Sequence, residues 1–187
     1  MFLLMPNGRL CYACTLAIND WDRMMYINSE NVLRELYGYP TVRVKSKQKE
    51  TLSELTTNFI GRSSFTVIST YDQKGRIDIS PRGGEIGFVK VLNEQRLLIP
   101  DLRGNNRLDC LNNIIETGSV GCLFFVVGSD ETLRVNGRAK ISIDPLHLAL
   151  FSQEKLTPKS CIELNIEEVF LHCTKSLKRA ALWSAKL

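Results

Sequence analysis

Two hydrophobic periods divide the chain. Residues 1–28 follow neither, and we interpret them as an N-terminal extension. After them, apolar side chains recur every three or four positions, which predicts two helices, over residues 30–37 and 50–61. From Ser64 onward the period changes to two, which is typical of half-buried strands. The pattern therefore predicts one domain over residues 29–187, in which helices precede a sheet.

The alternating part of the chain contains short strands joined mostly by tight turns, which favour antiparallel pairing. Gly137 interrupts one strand and indicates a β-bulge or a tight barrel corner. Pro81 has no N–H to donate, so the ladder is expected to stop or bulge there. Antiparallel sheets of this size usually close into a barrel that hides their edges, so we predict a mainly β fold with peripheral helices. The predicted strands cover residues 65–71, 76–80, 88–92, 97–100, 119–127, 132–143 and 160–173.

Composition and charge narrow the possible ligands. The chain has 187 residues, of which 24 are Lys or Arg and 20 are Asp or Glu, giving a net charge of +4. This mild excess suits an anionic ligand, but the basic residues are scattered among few aromatics, so we do not expect nucleic-acid binding. We read the six cysteines as reduced thiols, among them Cys110 in a predicted buried helix. Cys11 and Cys14 have CxxC spacing, but no second pair follows at zinc-site distance, and the carboxylates are too spread out to indicate a metal site. No segment has the length of a signal peptide core or a membrane span, so we expect a cytoplasmic protein.

One stretch could bind a phosphate. A helix is predicted from Asn106 to Thr117, with an apolar face formed by Leu108, Leu111, Ile114 and Ile115. A helix start offers unpaired N–H groups and the positive end of a dipole, and Arg103 and Arg107 flank this one. The apolar strand before it supplies a flat wall. A flat ring with a phosphate is what flavin mononucleotide (FMN) presents, although an ordinary hairpin and helix with solvated arginines would give the same pattern.

The order of these pieces resembles the pyridoxamine-5′-phosphate-oxidase-like flavoproteins. The tail, ending in Leu182-Trp183, resembles the subgroup of this family that contains an SPRG motif. The resemblance implies an antiparallel split β-barrel that binds FMN. It covers residues 27–183, and three stretches carry it: Gly75-Arg-Ile-Asp-Ile-Ser-Pro-Arg-Gly83, Leu98-Ile-Pro-Asp-Leu-Arg-Gly-Asn-Asn-Arg107 and Leu133-Arg-Val-Asn-Gly-Arg-Ala139.

The resemblance also implies roles for ten residues, in three groups. One group contacts the ring or the ribityl chain, one holds the phosphate, and one reaches the flavin from a second subunit. Asn106 replaces a basic residue of the family pattern, a loss for which Arg103 could compensate. The groups are Ser80, Arg82, Ile99, Pro100 and Asp101 at the ring and ribityl chain; Arg103, Asn106 and Arg107 at the phosphate; and Arg179 and Trp183 from the tail.

The family further implies a homodimer with two FMN sites at the subunit interface. The expected function is a flavin-dependent oxidoreductase that acts on a small molecule. The residues that grip pyridoxine phosphate in the true oxidases have no match here, so that activity is not expected. The alternative from another functional class is a split-barrel module that binds flavin, haem or deazaflavin F420 without turnover.

Overall fold

The computed structural model describes residues 26–42, 46–152 and 157–183. Most of the predicted extension lies outside these residues, as do Cys11 and Cys14. The chain forms two compact units that divide between Thr41 and Val42. In the first unit, helix α1 (Glu30–Tyr37) begins after Ser29, whose side chain accepts the Val32 N–H, and ends at Gly38, as predicted.

The second unit is built on one antiparallel sheet of seven strands, in the order β2-β1-β5-β6-β7-β4-β3. Strands β2 and β3 lie at its two edges, so hydrogen bonds do not close the sheet, which is compatible with a split barrel. The mainly β prediction is confirmed. The strands are β1 (Phe65–Tyr71), β2 (Ile77–Gly83), β3 (Lys90–Asn93), β4 (Arg96–Asp101), β5 (Ser119–Phe125), β6 (Thr132–Ser142) and β7 (Ser160–Leu171).

Four helices accompany the sheet in the described part of the second unit. No helix among the described residues is long and apolar enough to span a bilayer. The largest buried cluster combines side chains of the sheet with side chains of the two longer helices. The helices are α2 (Glu54–Arg62), α3 (Asp109–Thr117), α4 (Pro145–Ala149) and α5 (Lys175–Ala180).

Helix α2 begins four residues later than predicted. Ser53 fixes its start through a capping box, in which the Ser53 side chain accepts the Thr56 N–H and the Thr56 hydroxyl accepts the Ser53 N–H. Leu52 is buried before the helix begins, whereas Leu55 is exposed. The stripe of α2 that faces the core is Thr56, Phe59 and Ile60.

Helix α3 also begins later than predicted, at Asp109 instead of Asn106. Asn106 and Leu108 both have positive φ angles, of 59° and 60°, which a right-handed helix cannot contain. The buried stripe is consequently Cys110, Asn113 and Ile114. Two residues of the predicted apolar face, Leu108 and Ile115, are 49% and 73% exposed.

Pro81 and Gly137 were both expected to disturb the sheet, but only one of them does. The ladder continues through Pro81 to Gly83, because β2 is an edge strand whose free side needs no donor. The expectation of a stop or bulge there was wrong. Gly137 does mark a bulge, since the register between β6 and β7 shifts between Asn136 and Gly137. That prediction is confirmed.

Candidate functional site

Two predicted site residues meet across the opening of the sheet. Arg82 lies near the end of edge strand β2, and Asp101 ends β4, the sixth strand in the order. Their side chains are 3.6 Å apart, measured from Nη2 of Arg82 to Oδ1 of Asp101. Residues so far apart in the strand order meet only because the sheet curls. We call this meeting point, defined by Arg82 and Asp101, the seam.

The Arg82 side chain is held in place but keeps an unused donor. It is 20% exposed, and its Nη1 donates to the Ser80 hydroxyl at 3.2 Å and to the Pro81 carbonyl at 3.0 Å. Its Nε–H is buried and has no acceptor among the residues that the structure describes. A buried donor without a partner is costly, and for a charged group the penalty is larger. The seam therefore offers a fixed donor to an acceptor that the described residues do not supply.

Asp101 does not saturate that guanidinium. Burial raises the pKa of the Asp101 carboxyl, and the nearby Arg82 charge opposes this without cancelling it. A separation of 3.6 Å is longer than a charge-assisted hydrogen bond. Arg82 therefore keeps hydrogen-bonding capacity beyond its pair with Asp101.

The loop of residues 102–108, which we call the arginine loop, leads from the seam to α3. Its residues Asn106 and Leu108 adopt the left-handed conformation, a strained arrangement that clusters at functional sites. The first turn of α3 has no side-chain cap, so its N–H groups keep donor capacity. The loop residues Arg103 and Asn106 are exposed.

Arg107 is engaged with its own helix. Its Nε donates to Oδ2 of Asp109 at 2.8 Å, and its backbone N–H donates to the Asn105 side chain at 3.2 Å. The Arg107 side chain is nevertheless 75% exposed, so this ion pair is weak and exchangeable. An anion at the helix start would compete with Asp109 for Arg107.

Alternation along β2 places Asp78 on the same face as Ser80 and Arg82. Oδ2 of Asp78 is buried and lacks a hydrogen-bond partner in the described part of the chain. The sequence reasoning missed Asp78. Its spacing of two and four residues from the predicted pair was the signal that could have found it.

Cys110 lies over this row of β2, on the first turn of α3. Burial raises the pKa of its thiol, and the Arg82 charge opposes that rise while the Asp78 charge adds to it. The Ser80 and Thr70 side chains are within hydrogen-bonding reach of the thiol. Cys110 was read from the sequence only as a buried helix residue, because its neighbours depend on where α3 begins.

Ile99 and Pro100 adjoin the seam from inside. Both are buried in β4, where they pair with Ile162 and Cys161 of β7. They form part of the packed wall behind Asp101. That they line the flavin ring stays a prediction from the resemblance.

The tail residues Arg179 and Trp183 bond to other parts of the same chain, away from the seam. Trp183 donates from Nε1 to the Ser129 carbonyl at 2.7 Å, and Arg179 donates from Nε to the Lys175 carbonyl at 3.2 Å. Lys178 pairs with Asp130 at 3.8 Å. Within the described ranges, no hydrogen bond or ion pair joins Arg179 or Trp183 to the seam or the arginine loop of its own chain.

Two solved structures share this fold. A protein from Lactobacillus delbrueckii described as a pyridoxamine 5′-phosphate oxidase is 22% identical, with a TM-score of 0.53 over 65% of this chain and 95% of its own. HupZ from Group A Streptococcus is 15% identical, with a TM-score of 0.54 over 64% of this chain and 93% of its own. At these identities the similarity shows the fold alone.

The sequence identifies the family. No curated protein matches the chain. The family model described as pyridoxamine 5′-phosphate oxidase matches residues 52–173, which run from the start of α2 through β7 and include the seam and the arginine loop. This chain belongs to the pyridoxamine 5′-phosphate oxidase family.

Proposed function

We propose that this chain binds FMN and acts as a flavin-dependent oxidoreductase on a small molecule. The observation that carries the proposal is the unused Nε–H of Arg82, buried at the seam beside the arginine loop. FMN supplies a phosphate and ring carbonyls as acceptors, and ribityl hydroxyls as donors. The donors and acceptors of this region fit such a ligand.

The phosphate would be held at the arginine loop. Arg103 and Arg107 would supply charge, Asn106 a neutral donor, and the uncapped first turn of α3 its backbone N–H groups. Arg107 would exchange the Asp109 carboxylate for the phosphate, which carries more charge. Asp109 lies in the first turn itself and would oppose an anion there, so the arginines must outweigh it.

The seam would hold the remainder of the nucleotide. Ser80, Arg82 and Asp101 would contact the ribityl chain or the polar edge of the ring, with Ile99 and Pro100 behind them. When bound, the flavin supplies the hydride and electron chemistry, and the protein supplies position and electrostatics. The Arg82 guanidinium would place positive charge near the ligand in a half-buried setting, where it is poorly screened.

We propose that the protein is a homodimer that shares its cofactor sites. The outward face of β1 and β2 exposes apolar side chains, including Ile77 at 72% and Ile79 at 66%. Exposed apolar side chains of this kind favour burial against another protein, and a second copy presents the same face. In such a dimer, Arg179 and Trp183 could reach the site of the partner subunit.

A single substitution tests the phosphate site. Arg107→Ala should weaken FMN binding by about 1–3 kcal/mol, because a charge-assisted contact is lost. Arg62→Ala, at the exposed end of α2, is the matched control and should bind FMN as the wild type does. Fluorescence quenching of FMN measures both. Equal affinity of wild type and Arg107→Ala would remove Arg107 from the site.

Turnover separates an enzyme from a carrier. The FMN-loaded protein should oxidise NADH or NADPH in the presence of an electron acceptor, followed by absorbance. Absence of turnover with every donor and acceptor pair would favour the non-catalytic binding module. Stoichiometric binding of haem or F420 in place of FMN would replace the proposed cofactor.

A further inference from the structure

Asp78 carries an unused acceptor on the inner face of β2. Its register partner across the ladder is Thr70, whose hydroxyl accepts a hydrogen bond from Nδ2 of Asn113 at 3.1 Å. Oδ2 of Asp78 itself is buried without a hydrogen-bond partner. An ionised carboxylate can only accept hydrogen bonds, so this oxygen calls for a donor.

Arg82 does not supply that donor. Arg82 lies on the same face of β2, but its Nη groups are directed to Ser80, the Pro81 carbonyl and Asp101. Its Nε is itself without an acceptor. One strand face thus presents an unused acceptor and an unused donor that do not satisfy each other. A ligand that carries both complementary groups would satisfy both.

The two charges fix the direction of such a ligand. An anionic phosphate is repelled by Asp78 and attracted by Arg82 and the arginine loop. The part of the ligand near Asp78 must therefore be uncharged and must donate. Asp78 and Arg82 lie on one face of β2, the strand that α3 contacts, so one ligand there would meet both. In FMN, the donors that lie next to the phosphate are the hydroxyls of the ribityl chain.

We infer that Asp78 accepts a hydrogen bond from a ribityl hydroxyl and so selects a ligand with a polyol chain. This inference rests on the proposed flavin function. The same carboxylate disfavours haem, because haem carries propionates and has no hydroxyl to donate. Asp78 is then a specificity-determining residue, because the ligand supplies the hydrogen-bond donor that its buried oxygen lacks.

Flavins that differ in the polyol chain test the inference. Riboflavin and FMN carry the ribityl chain, whereas lumiflavin carries the same ring without it. Asp78→Ala should weaken the binding of riboflavin and of FMN about tenfold, because a hydrogen bond to a charged group is lost. The affinity for lumiflavin should not change. Asp78→Asn keeps an acceptor oxygen in a side chain of the same shape, so it should lose less affinity for riboflavin and FMN. Glu167→Ala, on the exposed side of β7, is the matched control.

Stability of the ligand-free protein gives a second measurement. Asp78→Ala removes a buried unsatisfied group, so the melting temperature of the ligand-free variant should equal or exceed that of the wild type. A residue with only a structural role would destabilise the chain when removed. FMN should raise the melting temperature of Asp78→Ala less than that of the wild type.

The outcomes are distinguishable. A wild type that binds no flavin overturns the proposed function and this inference with it. A wild type that binds flavin, with a variant whose losses are equal for riboflavin and lumiflavin or absent for both, overturns the role of Asp78 alone. If Asp78→Ala does not fold, Asp78→Leu, which also lacks an acceptor, decides: an unchanged preference for riboflavin over lumiflavin would contradict the role.

Discussion

At position 137, β6 passes so close to β7 that only glycine fits. A Cβ built on Gly137 would overlap the carbonyl oxygen of Asn165, which belongs to the backbone and cannot turn aside. Gly137→Ala should therefore destabilise the fold by about 2–4 kcal/mol, as severe overpacking does. Urea denaturation measures the loss as a lower midpoint at constant slope.

Gly61 is the matched control for this substitution. A Cβ at Gly61, in helix α2, would have open space around it. Gly61→Ala should stabilise the chain by up to about 1 kcal/mol through the higher helix propensity of alanine. Equal midpoints for the two variants would show that the bulge tolerates a side chain.

His172 makes stability depend on pH. Burial lowers the pKa of its imidazole from the ordinary 6.5, the Arg134 charge lowers it further, and Glu168 opposes both. Because the unfolded chain then binds the proton more readily, stability should fall as the pH drops through the window below 6.5. Thermal unfolding at several pH values should show a smaller acid loss in His172→Gln. Parallel profiles for the two proteins would contradict this role.

At the level of elements, helix caps decide where the chain turns. Ser53→Ala removes the side-chain acceptor of the α2 capping box and should cost about 1 kcal/mol. Ser53→Asp keeps an acceptor at the same place and should lose much less. Urea midpoints of the three proteins test this, and an Asp variant as weak as the Ala variant would mean that the cap does not set stability.

Caps also explain which helices the sequence could predict. Ser29 and Gly38 are local signals on both sides of α1, and the predicted bounds are those observed. The start of α3 is different, because Leu108 carries no side-chain cap and its positive φ is unusual for a bulky residue. The path from β4 to α3 imposes this conformation, and no local sequence signal reveals it. The predicted helix therefore began too early, and its predicted buried face was wrong.

The curl of the sheet is a property of the whole molecule and not of any one strand. Alternation predicted the strands, and the bulge at Gly137, from local composition. It did not reveal that Arg82 and Asp101, on the first and sixth strands in the order, would meet. That contact depends on the summed twist of the strands between them. The resemblance to known flavoproteins named both residues, whereas Asp78 was missed although alternation along β2 places it on the face of Ser80 and Arg82.

The outward face of the sheet leads to a prediction about assembly. Ile79→Asp places a charge on the exposed apolar surface of β2 and should convert a dimer to a monomer, as measured by light scattering after gel filtration. Ile143→Asp, on an equally exposed residue that follows β6, should leave the mass unchanged. A wild type that is monomeric at micromolar concentration would contradict the shared site.

The most direct test of the account is a titration of the ligand-free chain with FMN and with riboflavin, followed by fluorescence quenching. One FMN should bind per chain, at least about tenfold tighter than riboflavin, because the arginine loop holds the phosphate. Equal affinity for the two flavins, or no quenching by either, would contradict it.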